Sequence, residues 1–181
     1  MIKIEEVGID KLEEYDSIEF SYSTNKIYEL KKINNGLGGF LLEVKDIEPF
    51  TKKFEEDTTL WKKYFDLTKW KFFIAYDNDI PVGGAILAIR SDRPDSKKYP
   101  VLWDLRVIEK YRYQGIGKKL FDTVKESGKK EDYKELKIEC QNTNYPAVNF
   151  YYKQGAILRS INDHAYDDFT NEVQMFWYLN L

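Results

Sequence analysis

Between residues 101 and 124 the chain reads as strand, glycine turn and helix, and nothing else in it limits the fold so tightly. Val101-Leu102-Trp103-Asp104-Leu105-Arg106-Val107 is a mostly apolar run. Tyr111-Arg112-Tyr113-Gln114-Gly115-Ile116-Gly117-Lys118-Lys119-Leu120 carries the turn, and Ile116, Leu120, Phe121 and Val124 share one helical face. The first N–H groups of a helix lack intrahelical acceptors, and the helix dipole adds partial positive charge beside them. Gly115 and Gly117 let a ligand come close to the backbone, and Arg112, Lys118 and Lys119 add formal charge. The stretch is an anion site, with a phosphate or pyrophosphate as its natural occupant. It is not the mononucleotide loop, which needs Gly-Lys-Ser/Thr. Nor is it the dinucleotide fingerprint, because Leu120 stands where that pattern needs its third glycine.

The rest of the composition narrows the setting. A chain of 181 residues suits one domain with a full core. A formal net charge of -3 does not imply a general nucleic-acid surface. The single cysteine, Cys140, permits no internal disulfide and fits a reducing compartment. Cys140 and the single histidine, His164, cannot together make a four-ligand zinc site, so no metal is expected. The N-terminus alternates apolar and charged residues, unlike a signal peptide, and no apolar run reaches the ~20 residues of a membrane span. The expectation is a cytoplasmic protein that binds neither membrane nor nucleic acid.

Along the chain, Ile2, Ile4 and Val7 alternate as a half-buried strand, and Asp10 is placed to cap a short helix over 11–15. Residues 18–30 read as one or two strands. Asn34-Asn35-Gly36 is a turn, and Phe40 to Val44 is the return strand of a hairpin. Trp61, Tyr64 and Phe65 lie at helical spacing, predicting a helix over 59–67. Strands follow at 70–76 and 82–89 as an antiparallel hairpin, and 90–100 is an exposed loop. After the central strand, the helix from about Gly115 is expected to end at Gly128. Residues 135–140 alternate as a strand, and Asn144 caps a helix with Pro146 in its first turn, ending at Gly155. Residues 156–158 and 173–179 close the fold as two strands.

The pattern Arg112-x-x-Gly115-x-Gly117 resembles the pyrophosphate-binding motif of the GNAT superfamily of N-acetyltransferases, which bind acetyl-CoA. The segment Asn144-Tyr145-Pro146-Ala147-Val148-Asn149-Phe150-Tyr151-Tyr152-Lys153-Gln154-Gly155-Ala156 resembles a second motif of that family. Its frame is Asn144, Ala147, Phe150, Tyr151 and Gly155, with Ala156 where phenylalanine is common. The two motifs stand in the family's order with a strand between them, and the resemblance runs from about Trp70 to Ile161. The segments Ala165-Tyr166-Asp167-Asp168-Phe169 and Phe176-Trp177-Tyr178-Leu179 look like the end of the streptothricin acetyltransferases, a resistance branch of the superfamily. Tyr113 departs from the pattern, since glycine is frequent there and a positive φ would strain a tyrosine.

The resemblance implies an α/β (α+β) fold, a mixed and mostly antiparallel sheet with helices on both faces. It implies one catalytic domain over 1–181, with an acceptor-side half of about 1–69 and an acetyl-CoA half of about 70–181. By the same resemblance, the turn amides of Arg112, Tyr113, Gln114, Gly115, Ile116, Gly117 and Lys118 hold the pyrophosphate. The backbone of Leu105, Arg106 and Val107 pairs with the pantetheine arm, and Asn144, Ala147 and Tyr151 complete the cofactor side. Acetyl transfer to an amine needs a neutral nucleophile, a stabilised oxyanion and a proton for the thiolate. Tyr151 is the candidate proton donor, while Glu139 and Asp104 both stand as candidate bases. Asp104 with Arg106 also reads as an ion pair on one face of the central strand. Cys140 reads as a small core residue rather than an acetyl carrier, and His164 as a surface or acceptor contact. Glu55, Glu56, Asp57, Trp61, Tyr64, Tyr166, Asp167 and Asp168 are placed to suit a cationic amine by charge and cation–π contact. The expected activity is acetyl-CoA-dependent acetylation of a small-molecule amine, with streptothricin as one candidate acceptor. Acetylation of a protein N-terminus or lysine, and a non-catalytic acyl-CoA-binding module, remain alternatives, and a homodimer is left open.

Overall fold

The computed structural model describes residues 1–55, 57–89, 98–166 and 172–181. In chain order these form β1 (Ile2–Val7), α1 (Leu12–Asp16), β2 (Ser21–Lys32), β3 (Phe40–Lys53), β4 (Lys71–Asp77) and β5 (Ile80–Ala88). They continue as β6 (Val101–Val107), α2 (Ile116–Lys130), β7 (Glu135–Gln141), α3 (Tyr145–Lys153), β8 (Ile157–Asn162) and β9 (Gln174–Asn180). One seven-stranded sheet has the order β1-β4-β5-β6-β7-β9-β8, and β2 pairs with β3 in a separate two-stranded sheet. The pairs β1–β4, β4–β5, β5–β6 and β8–β9 are antiparallel, and β6–β7 is parallel. This is the mixed, mostly antiparallel sheet that the sequence implies. Among the described residues no helix is long and apolar enough to cross a membrane.

The chain divides into two compact units, each assembled from segments distant in sequence. The first holds residues 1–21, 53–138 and 180–181. Two neighbouring glycines of β5 show how helices cover both faces of its sheet. A Cβ on Gly83 would lie 3.2 Å from Leu120 Cδ1 of α2, whereas one on Gly84 would lie 2.4 Å from the Tyr15 ring of α1. Successive strand residues point to opposite faces, so α1 and α2 lie on opposite sides of β5. At Gly84 the Tyr15 ring rests where any larger side chain would stand. On the α1 face the core gathers Leu12, Tyr15, Ile18, Phe72, Ile74 and Ile86 around Trp61 and Trp70. Ring centroids in the aromatic group of Trp61, Phe65, Trp70 and Trp103 stand 4.8–6.0 Å apart.

The second unit holds residues 22–52 and 139–179. Its hairpin is longer than the alternation of apolar residues suggests, because β3 runs on to Lys53 instead of stopping near Val44. Opposite charges across the strands explain the extension. Lys31 pairs with Glu43, Lys45 with Glu29, and Lys26 with Asp46, while the Ser23 and Thr51 hydroxyls meet at 2.8 Å. Polar pairs of this kind leave no hydrophobic signature.

Three local expectations are corrected. Residues 59–67 do not form an α-helix but two 3₁₀ segments, Thr58–Lys63 and Leu67–Lys69. The Asp57 carboxylate accepts from Thr59 N at 2.9 Å, and Asp66 accepts from Thr68 N at 3.0 Å. Each aspartate thus starts its own turn and interrupts a continuous helix. Asp10 lies inside a 3₁₀ turn, Ile9–Lys11, and α1 begins behind Lys11 without a side-chain cap. Gly128 lies within α2, which runs on to Lys130. A Cβ there would come within 2.8 Å of Leu181 Cδ1, so its smallness admits the Leu181 side chain.

Candidate active site

The strand β6 is paired on one side along its length and on the other only at its start. It meets β5 from Val101 to Val107, through a register shift beside Trp103. Its parallel partners in β7 are Val101↔Lys137 and Leu102↔Ile138. Among the described residues no partner strand continues beyond Leu102 on that edge. Residues 103–107 of β6 thus lie beyond its last partner in β7, and the Val107 carbonyl on this stretch accepts from Arg112 Nε.

The turn after β6 carries the geometry of an anion site. Gly115 is the N-cap of α2 with φ of 82°, a left-handed conformation natural to glycine. A Cβ there would have no atom within 4 Å, so the space over the helix start is open. Gly117 faces Val107, and a Cβ on this glycine would lie 3.8 Å from Cγ2 of that valine. Tyr113 does take a positive φ, 62°, at a cost of roughly 1–2 kcal/mol, and its ring is 99% exposed. Gln114 Nε2 donates to the Lys110 carbonyl at 3.0 Å and holds the turn together. Ile116 is buried as the helix's first anchor, and Lys118 pairs with Asp122 at 2.5 Å.

The Arg112 guanidinium is engaged with backbone oxygens. Nε donates to the Val107 carbonyl at 2.9 Å and Nη2 to the Ser21 carbonyl at 2.6 Å. It ties the end of β6 to the start of β2, and its charge partly neutralises two carbonyl dipoles.

Asp104 and Arg106 form the ion pair that strand alternation suggests. Both are buried on the α1 face, 6% and 4% exposed. Arg106 Nε donates to Asp104 Oδ2 at 2.7 Å, and Nη2 bonds the same oxygen. Tyr15 donates its hydroxyl to that oxygen at 3.0 Å, while Arg106 Nη1 reaches the Ile18 carbonyl at 3.3 Å. The guanidinium is stacked between the rings of Tyr15 and Phe20, 4.7 Å from each centroid. Burial first, then the Asp104 charge, pushes the Tyr15 phenol well above its ordinary value. In Arg106, burial works to lower the value and Asp104 outweighs it, so the guanidinium stays charged. All of these bonds fall on one oxygen of the Asp104 carboxylate, and the buried Oδ1 has no hydrogen-bond partner.

The second unit holds the remaining site residues. Asn144 Oδ1 accepts from Ala147 N at 3.2 Å, which fixes the start of α3. Val148 and Tyr151 are the buried residues of α3, with the Tyr151 ring at an edge to Phe150, centroids 5.5 Å apart. Glu139, on β7, accepts from Tyr166 Oη at 3.1 Å and from Gln174 Nε2 at 2.7 Å. Cys140 is buried beside it, and burial pushes its thiol up to about 12. A thiol so protonated behaves as core.

Of the expected acceptor residues, Trp61 is in the core, Asp57 is a turn cap, and Tyr64 is exposed on the first unit. Glu55 is exposed, and Glu56, Asp167 and Asp168 lie outside the described residues, as does most of the loop at 90–100. Tyr166 and His164 instead line a cleft of about 760 Å³ within the second unit, together with Glu29, Lys32, Asn142 and Asp163. Asn142 escaped the sequence reading. It is 2% exposed; its Nδ2 donates to the Tyr28 carbonyl at 2.8 Å and its Oδ1 accepts from Val173 N at 2.7 Å. Its backbone meets the same two residues, so one side chain satisfies the polar groups at the end of β7. An asparagine two residues before a helix cap gives no periodic signal for such a role.

Comparison with known proteins agrees with this geometry. Streptothricin acetyltransferase A of Bacillus subtilis is 28% identical over 133 residues, covering 72% of this chain and 73% of that protein. The crystal structure of a nourseothricin acetyltransferase (TM-score 0.81, 19% identity, 99% of this chain and 98% of that one) shares the fold. So does a protein described as a streptothricin acetyltransferase of Bacillus anthracis strain Ames, solved with acetyl coenzyme A (TM-score 0.79, 24% identity, all of both chains). A family model matches residues 40–156, taking in β6, the glycine turn and α3, and the chain belongs to the acetyltransferase (GNAT) family.

Proposed function

We propose that the protein transfers the acetyl group of acetyl-CoA directly to a primary amine of a small molecule, with streptothricin-type antibiotics as the first acceptors to test. The observation that carries the cosubstrate is the open edge of β6 at 103–107 leading into the Gly115 turn. Pantetheine amides add to that edge, the turn N–H groups take the pyrophosphate, and an amide near Val107 polarises the thioester carbonyl. The acceptor class rests on the sequence relative of Bacillus subtilis.

In this reading Glu139 removes a proton from the acceptor ammonium, and the freed amine attacks the thioester carbon. A C–N bond forms and the C–S bond breaks. Tyr151 gives its phenolic proton to the departing thiolate, then regains one from the new amide nitrogen. Asp104 keeps its structural role, and Asn144 and Ala147 act by setting α3 and thus Tyr151. Residues 1–181 are one catalytic domain, working in the cytoplasm, where acetyl-CoA is supplied. The test is coenzyme A release with streptothricin, polyamines, amino acids and a short peptide. Release with streptothricin above the others supports the reading. Release with the peptide alone favours protein acetylation, and acetyl-CoA binding without release to any amine contradicts enzymatic transfer to this acceptor class.

A further inference from the structure

The cleft in the second unit contains two lysine–carboxylate ion pairs of the same unequal form, and His164 Nε2 also stands 3.7 Å from Asp163 Oδ1. Glu29 pairs with Lys45, and Asp163 pairs with Lys32 at 2.5 Å. In both, the carboxylate is the deeper partner. The Glu29 side chain is 36% exposed against 53% for Lys45, and Asp163 is 30% exposed against 47% for Lys32. All four residues line the cleft. Lysine reaches such places on a flexible stem with its ammonium toward water, so the carboxylates are the fixed elements and the ammonium groups the exchangeable ones. The hydrogen bond from each lysine also holds its carboxyl below the ordinary range, leaving both ionised at neutral pH.

Tyr166 connects this cleft to the chemistry. It lines the same space and donates its hydroxyl to Glu139, the residue assigned above as base. An acceptor seated in the cleft thus meets a tyrosine whose hydroxyl is bonded to that carboxylate. We infer that Glu29 and Asp163 are the acceptor-recognition carboxylates, and that Lys45 and Lys32 are resident competitors displaced by ammonium groups of a di- or polycationic acceptor. This rests on the reading of the protein as an amine acetyltransferase. Exchange is cheap because exposed ion pairs contribute little to stability, and one ammonium replaces another. A monoamine gains from one carboxylate at most and is held weakly.

The test is calorimetric titration with spermidine at low, fixed ionic strength, which reads the cleft without any acetyl transfer. Glu29→Gln with Asp163→Asn should weaken spermidine binding about tenfold, whereas Lys45→Gln with Lys32→Gln should tighten it several-fold. A merely structural role for the two pairs would move both variants in the same direction. Opposite signs support the assignment. Equal signs, no change in either variant, or no saturable spermidine binding by the unaltered protein would overturn it. Matching circular dichroism spectra confirm that the variants are folded. A parallel acetyl-CoA titration of the unaltered protein separates failure of this inference from failure of the parent reading.

Discussion

Arg112 reaches back five residues to the carbonyl of Val107, the last residue of β6, at 2.9 Å, while its other arm holds the carbonyl of Ser21. The Arg112 guanidinium thus braces the end of β6 against the start of β2. The fork of the guanidinium bonds two carbonyls at once, which a lysine cannot reproduce. Arg112→Lys should therefore lose about as much acetyl-CoA affinity as Arg112→Ala, roughly tenfold, although it keeps the charge. Full retention of affinity in the lysine variant, measured by calorimetry, would show that charge alone matters.

The group formed by Tyr15, Asp104 and Arg106 predicts a graded loss of stability. Tyr15→Phe removes one donor from the buried Asp104 oxygen and should cost about 1–3 kcal/mol. Asp104→Asn leaves a buried guanidinium without its counter-charge and should cost about 3–5 kcal/mol. Urea unfolding with an unchanged m-value reads both. Equal, small effects would mean that the pair is more hydrated than its burial implies.

Tyr151→Phe keeps the ring on the buried face of α3 and removes only the hydroxyl. Turnover should fall roughly a hundredfold with acetyl-CoA affinity held within about twofold. Stopped-flow detection of coenzyme A release, set beside equilibrium binding, separates the two. An unchanged kcat would remove Tyr151 as the acid.

Cys140 should be inert in the folded protein. With its thiol near 12 because of burial, roughly one molecule in ten thousand carries a thiolate at pH 8. Iodoacetamide should label it in guanidinium and leave it unlabelled in buffer. The folded-state value lies above the unfolded one, so the neutral thiol's contribution to stability is whole below about pH 9. It is lost progressively from there to about 12. Rapid native labelling at pH 8 would contradict the buried placement.

What could be read in advance follows from where the physics is local. The limits of β6, the cap at Asn144 and the glycine turn before α2 depend on neighbours a few residues away, and the sequence spacing announces them. The extension of β3 depends on Glu29 and Lys31 meeting Lys45 and Glu43 across a hairpin, where no hydrophobic alternation marks the strand. The helix suggested by Trp61, Tyr64 and Phe65 yields to Asp57 and Asp66, whose side chains compete for backbone N–H groups. The partners of Arg112 and Asn142 lie far along the chain, at Ser21, Tyr28 and Val173. Motif matching named Arg112 without its partners and had no means of naming Asn142.

Acetyl-CoA binding by the unaltered protein and by Gly115→Glu tests the central assignment most directly. The substitution puts bulk and negative charge into the open space over the start of α2, and strains a φ of 82°. Saturable binding by the first and none by the second is the predicted result, with both proteins folded by circular dichroism. Equal affinity in the two would show that the turn after β6 does not hold the pyrophosphate.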